Sequence, residues 1–351
     1  LGMAVGRLTR QGAATGLGMA RLIRRTACKG ARPVRLRPFP RWFCGEGEAG
    51  RVSLTISNPV LLLNNVSHRY SSLSRIVLEY ADNALDDREH EYRERGGYAY
   101  PLAILVDLET CEGALRRIRI RDNCRGMRSG KLMRLLEHVG ESEKKFTPWL
   151  NGQFGFGVHA FRAAADRLVV RTKHADESHP QELQISRMDT SFVPAFASAL
   201  PLAHASPTGT GTEVILDGID PDWGQDLTCE EMVREIQHHF ERLLTRSRLS
   251  IRVREVHLSS REEEEEGASA SRAPQPVRDV RCVAFNYSSI EGRDFTPNKT
   301  VQSAKLRIHL KVADREYEGQ RARVFLLGRR INEIGNILSF IRRSKHKQQL
   351  W

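Results

Sequence analysis

The stretch SRIVLEYADNALDD places Glu79, Asp82, Asn83 and Asp86 at helical spacing. At about 100° per residue these four share one stripe about 100° wide, and Ile76, Val77, Leu78, Tyr80, Ala81, Ala84 and Leu85 fill the rest of the circumference. Three carboxylates at i+3 and i+4 spacing repel one another, so something cationic should compensate them. Magnesium is the simplest candidate: a hard cation that takes oxygen ligands and keeps phosphates and waters in its shell, with the Asn83 amide oxygen as a direct ligand. The plainer reading is that the stripe is the solvent face of an amphipathic helix.

Further groups follow in order. In ALRRIRIRD, Arg117, Arg119 and Arg121 alternate with Ile118 and Ile120, so Asp122 shares the parity of the isoleucines and faces a core. A carboxylate there needs a donor, and the exocyclic amine of an adenine would supply one, directly or through water. Just beyond, Gly126 would let a ring lie against backbone, and Met127 would pack on it. The segment NGQFGFGVHAFRAAA places Gly152, Gly155 and Gly157 before a helix, where glycines permit close approach and unpaired N–H groups attract phosphate. Flexible loop glycines are the bland alternative. The pattern is not Walker A, because Gly130-Lys131 is followed by Leu132. Thr212, opening TGTGTEVIL, has a hydroxyl that can donate to and accept from the Asp122 network, though it could also be an ordinary strand opening.

These groups need a frame. Periodicity predicts a helix from Ser71 to about Arg95, strands over 102–109 and 115–121, and a short helix over 131–139. Past the glycines come a helix over 158–165, strands near 168–172, 182–188 and 212–216, a helix over 229–245 and a strand over 249–256. Helices mixed with hairpin-connected strands predict an α+β fold, a two-layer sandwich with a mixed sheet covered by helices on one face. The acidic and Pro-rich stretch at 259–276 reads as a linker or loop insertion, and strand-like patterning resumes over 277–351 as the start of a second domain.

Composition narrows the class. An apolar fraction of 40% over 351 residues is adequate for a packed core, and no apolar run approaches the roughly 18 residues of a membrane span. The net charge of +12 is uneven: residues 1–45 hold ten Arg or Lys and no acid, leaving about +2 for the remainder. Bulk charge therefore does not argue for a nucleic-acid surface. Residues 1–50 read either as a mitochondrial or plastid transit peptide or as a basic disordered tail. Six scattered cysteines without a Cys-x-x-Cys pair point away from zinc or a disulfide framework and fit a reducing, intracellular compartment.

The ordered set resembles the four motifs of the gyrase, heat-shock-chaperone, histidine-kinase and MutL (GHKL) ATPases, over about 60–256. ExxDNAxD reads Glu79-Tyr80-Ala81-Asp82-Asn83-Ala84-Leu85-Asp86, and DxGxG is represented by Asp122-Asn123-Cys124-Arg125-Gly126. GxxGxG reads Gly152-Gln153-Phe154-Gly155-Phe156-Gly157, followed by Val158, and the GT motif is Gly211-Thr212. Within the superfamily, NNVSHRYSSLSRIVLEYADNALDD is most similar to MORC ATPases, and MRLLEHVGESEKK with ADRLVVRT also to the B subunit of topoisomerase VI. Cys124 stands where the pattern has its first Gly, and Val158-His159 where MORC proteins have Leu-Lys or Phe-Lys.

The resemblance implies the Bergerat ATP-binding fold over 51–258 and part of a transducer-like domain over 277–351. It implies ATP and Mg2+ as ligands and ATP hydrolysis, with Glu79 orienting and deprotonating water and Asn83 holding magnesium. Asp122, Gly126, Met127, the run from Gly152 to Val158, and Thr212 would bind the nucleotide, and Asn123 to Gly152 would close over it as a lid. Lys299 and Lys305 are candidates for a γ-phosphate lysine; His68 is expected to be a structural hydrogen-bonder. The leading expectation is an ATP-operated homodimeric clamp on DNA or chromatin, in a nucleus or an organelle. The alternatives are a chaperone-type ATPase acting on protein clients, a histidine kinase, or a nucleotide-binding module without turnover.

Overall fold

The computed structural model describes residues 56–137, 156–190, 192–196, 206–258, 276–286, 291–295, 298–301, 304–307, 310–313 and 322–334. The chain divides into Leu1–Thr55 and Ile56–Trp351, and all described residues belong to the second unit.

Helix α1 (Pro59–Ser67) is capped by Asn58, whose side chain accepts from the Leu61 N–H, and sequence reading had not anticipated it. Helix α2 (Leu73–Arg95) follows. The Ser72 hydroxyl accepts from the Arg75 N–H at 3.3 Å, Gly96 ends the helix at φ +70°, and Arg93 and Arg95 complement the last-turn carbonyls. Its apolar side, including Ile76, Val77, Ala81 and Leu85, is fully buried. Helix α3 (Ser129–Glu137), a 3-10 segment (Gly157–Ala163), the single turn α4 (Pro221–Gly224) and α5 (Cys229–His239) complete the helical elements among the described residues. Two predicted helices are therefore shorter: 158–165 is a 3-10 segment and 229–245 ends at His239.

The main sheet has eight strands: β1 (Leu102–Cys111), β2 (Ala114–Asp122), β3 (Ala165–Lys173), β4 (Gln181–Ser186), β5 (Val193–Phe196), β6 (Gly211–Ile219), β7 (Leu249–His257) and β8 (Pro276–Arg281). Their order is β5-β4-β3-β6-β2-β1-β7-β8, antiparallel except for the parallel β1–β7 pair. The helix-facing side carries Ile104, Val106, Leu108, Ile118, Ile120, Leu168, Leu216, Ile251 and Val253, which join α2 and α5 in one core. The result is a mixed sheet covered by helices, as expected.

The opposite side of the sheet is held by charge. Glu109, Arg117, Asp217 and Arg167 stand in register across four strands, alternating in sign, with Arg117 and Arg167 both on Asp217 at 2.8 and 2.5 Å. A second row runs Arg121, Glu213, Arg171, Glu182. Cross-strand partners of opposite sign satisfy each other where a second helical layer would otherwise have to cover the face.

Pro276–Arg281, which spans the end of the expected linker and the first residues of the expected second domain, is the outer strand of this sheet. Three two-stranded sheets follow among the described residues: β9 (Gly292–Phe295) with β12 (Leu310–Ala313), and the hairpins β10 (Asn298–Val301) with β11 (Ala304–Arg307) and β13 (Ala322–Leu326) with β14 (Arg329–Ile334). The last of these contacts α5 through β14.

Candidate functional site

Asp122 is the last residue of β2, paired with Thr212 of β6, which in turn pairs with Thr172 of β3. The expected parity holds: Asp122 is buried with Ile118 and Ile120. Burial pushes its carboxyl up to about 7, and the Asp87 charge adds to this, while N–H groups of Cys124 and Thr212 pull the other way. The Cys124 N–H donates to its Oδ1 at 2.8 Å. The Thr172 and Thr212 hydroxyls lie 3.1 Å apart, and Thr172 Oγ1 accepts from the Met127 N–H at 2.9 Å. Gly126 sits at φ +69°, and any Cβ there would overlap the Lys173 carbonyl. Asp122, Thr212, Gly126 and Met127 therefore converge on one end of three adjacent strands.

This end is tied to α2. The Cys124 thiol donates to the Ala84 carbonyl at 3.3 Å, one residue beyond Asn83, so the cysteine that replaces a motif glycine docks the Asp122 loop on the helix. Arg125 donates to Asp87 through its backbone N–H, Nε and Nη2.

Farther along the same helix, Glu79 meets the segment that follows the glycine-rich loop. A Cβ on Gly157 would lie 2.5 Å from Glu79 Oε1, so only glycine lets the loop pass the carboxylate at this distance. The Tyr80 hydroxyl fixes the same junction, donating to the Val158 carbonyl at 3.1 Å and accepting from the Phe161 N–H at 3.3 Å. Phe156 and Val158 flank Gly157 and are half-buried. Gly152, Gln153, Phe154 and Gly155 lie outside the described residues, as do residues 138–151 of the expected lid.

Glu79 and the Ala84 carbonyl are five residues apart on α2, about 7.5 Å along the axis. Gly157 and the Asp122 loop are therefore displaced along one helix, as the phosphates and base of one nucleotide are displaced from each other. A buried carboxylate at one end and a glycine at the other suit that ligand.

Residues 70–204 match the family described as "Histidine kinase-, DNA gyrase B-, and HSP90-like ATPase". That span belongs to the GHKL ATPase superfamily. The GHKL span contains Glu79, Asn83, Asp122, Gly126 and Gly157, and ends before Thr212. No curated protein matches the chain. No helix among the described residues is long and apolar enough to cross a membrane.

The acidic stripe of the GHKL helix divides in two. Asp82 and Asp86 are compensated from within the protein: Arg329 donates from Nε to Asp82 Oδ1 at 2.6 Å and from Nη2 to Asp86 Oδ1 at 2.7 Å. Magnesium is therefore not needed to balance these two carboxylates, and the expectation that it answers the whole stripe is corrected. Asn83 is exposed and Glu79 half-buried. Among the described residues no three His, Cys, Asp or Glu side chains gather as a metal site. A magnesium ion held through Asn83 would draw its other ligands from phosphate and water, which suits its chemistry.

Sequence reading missed Arg329, Tyr70, Arg75 and His239. His239 Nε2 lies 3.3 Å from Asp82 Oδ2, and Arg75 Nη1 lies 3.4 Å from His239 Nδ1. With Arg69, Tyr70 and Glu79 these groups border a cavity of about 270 Å³ beside α2. Burial opposes the charge on Asp82, but the His239 hydrogen bond and the Arg329 charge outweigh it and hold its carboxyl below the usual range. Burial and the Glu79 charge both push the Tyr70 phenol up. No local pattern marked these residues, because each partner comes from another part of the chain. Lys299 and Lys305 fall on β10 and β11.

Proposed function

We propose that this protein binds ATP along α2, with the base at Asp122, Gly126, Met127 and Thr212 and the phosphates at the loop from Gly152 to Val158, and hydrolyses it. The observation that carries the reading is the close approach of Glu79 to Gly157, which puts a carboxylate where a loop of this composition would present phosphate. Glu79 orients the attacking water and accepts its proton. Asn83 holds the magnesium ion, which when bound neutralises phosphate charge. Asp122 accepts from the adenine amine, and the segment from Asn123 to Gly152 closes over the nucleotide and excludes water.

The effector reading is a clamp in which two copies join over ATP and act on DNA or chromatin. The MORC-like segment before and within α2 supports it.

The test is steady-state ATP hydrolysis by the purified chain with magnesium. Slow turnover is expected, and Glu79→Ala should keep nucleotide affinity within about threefold while turnover disappears. A Glu79→Ala protein that still turns over sinks the assignment of Glu79. Stimulation by duplex DNA supports the clamp, whereas stimulation by unfolded proteins instead overturns it in favour of a chaperone-type activity.

A further inference from the structure

The Arg329 side chain is 1% exposed, and so is that of Asp86, to which it is joined. Burying a guanidinium is costly unless its donors are satisfied. Here they are: Asp82 and Asp86 take Nε and Nη2, and Nη1 donates to the Leu327 carbonyl at 2.9 Å. The link joins positions 243 residues apart, between the β13–β14 hairpin and the middle of α2.

The rest of the hairpin is set closely on the same body. Gly328, at φ +83°, approaches Leu243 so nearly that a Cβ would lie 2.7 Å from its Cδ2. Arg242 stacks 5.3 Å from the Phe325 ring centre. The hairpin thus bears on the α2 flank that carries Asp82 and Asp86, and the adjoining flank of the same two turns carries Glu79 and Asn83. At Glu79 the spacing is close, since a Cβ on Gly157 would lie 2.5 Å from Oε1 and 3.1 Å from Cγ and the side chain would have to move to admit it. A shift of α2 that the hairpin permits or prevents is therefore felt at Glu79.

We infer that Arg329 is a positioning residue for Glu79 and Asn83, through which the β13–β14 hairpin controls turnover by holding α2 in register with the Gly157 segment. Arg329, with its side chain 1% exposed, acts through Asp82 and Asp86. The inference rests on the ATP reading above. Its signature is a split between turnover and affinity, together with communication from the nucleotide to the hairpin.

The experiment uses the full chain with Arg329→Met combined with Asp86→Asn, which removes the buried Asp86 charge along with its guanidinium and leaves Asp82 to His239. Expected are an affinity for Mg-ATP within about threefold of the parent, a kcat at least tenfold lower, and loss of the slowing of amide exchange that ATP produces over 322–334 in the parent. Arg329→Lys keeps the charge but not the two-pronged geometry, so it should fall between parent and double variant. Parental turnover in the double variant overturns the inference. So does a parallel loss of binding and turnover, which is what mere fold damage produces. A parent that binds no ATP overturns the functional reading and this inference together. A parent that binds without hydrolysing overturns the catalytic reading alone, and the exchange measurement then decides whether Arg329 carries the signal.

Discussion

Gly126 and Asp122 are two side-chain choices whose reasons are physical and separable. At Gly126 the backbone is left-handed, which costs a residue with a Cβ about 1–2 kcal/mol, and the space is filled by the Lys173 carbonyl, a backbone atom that cannot swing aside. Gly126→Ala should therefore destabilise the protein by about 3 kcal/mol or more, read as a fall in the urea midpoint, and should abolish nucleotide binding. A midpoint within about 1 kcal/mol of the parent would mean that this loop relaxes freely and does not shape the base end. The parity argument that aimed Asp122 inward succeeded because strand alternation is a local rule that needs only Ile118 and Ile120 as neighbours. The role of Arg329 was illegible for the opposite reason. An arginine in RRINEI and two aspartates in ADNALDD look like solvent charges until the fold joins them.

Among the elements, α2 carries most of the site and was the most legible, since the apolar residues from Leu73 to Leu85 repeat at helical spacing. Gly96 offers a control for Gly126: its φ is +70°, but a Cβ would meet nothing within 4 Å. Gly96→Ala should thus cost only about 1 kcal/mol, the strain of the left-handed cap alone, with nucleotide binding unchanged. An effect as large as that of Gly126→Ala would show that strain rather than crowding governs both. Other elements were less readable. The 3-10 segment after Gly157 has the composition of an α-helix, and hydrophobic pattern does not tell the two apart. β8 was assigned to a second domain because the acidic and Pro-rich stretch before it reads as a boundary, yet β8 pairs with β7 on the far side of that stretch. Arg117, Arg119 and Arg121 have partners on β1 and β6, which strand alternation does not identify.

For the whole molecule, two buried groups oppose each other in the response to pH. Asp122 is raised from 3.8 to about 7, so between those values the folded protein holds a proton that the unfolded chain has lost, and stability falls as pH rises. His159, buried beside Arg162, is lowered from 6.5 to about 4, so in that interval the unfolded chain holds the extra proton and stability rises with pH. Each slope is about 1.4 kcal/mol per pH unit, and across the shared interval they cancel. Asp122→Asn should unmask the His159 limb: its stability relative to the parent should grow by about that amount per unit from pH 4 to 7. Urea midpoints of the two proteins across this range check it, and a constant difference would mean that Asp122 is ionised in the fold. Below the ordinary carboxylate range both proteins should weaken together. Asp82 and Asp217, whose carboxyls are held low by paired arginines and, at Asp82, by His239, lose that stabilisation as they protonate.

The one parallel pairing in the main sheet has a consequence for synthesis. β1 obtains its antiparallel neighbour β2 almost at once, but its other edge waits for β7, well over a hundred residues later. Until Leu249–His257 has left the ribosome, the nascent chain carries an open strand edge lined by Ile104, Val106 and Leu108, three residues that end with no exposed surface or almost none. Such an edge pairs readily with another copy. Chains interrupted before Leu249 are thus the ones most prone to clump, and late completion of β7 makes the fold depend on shielding while it is being made.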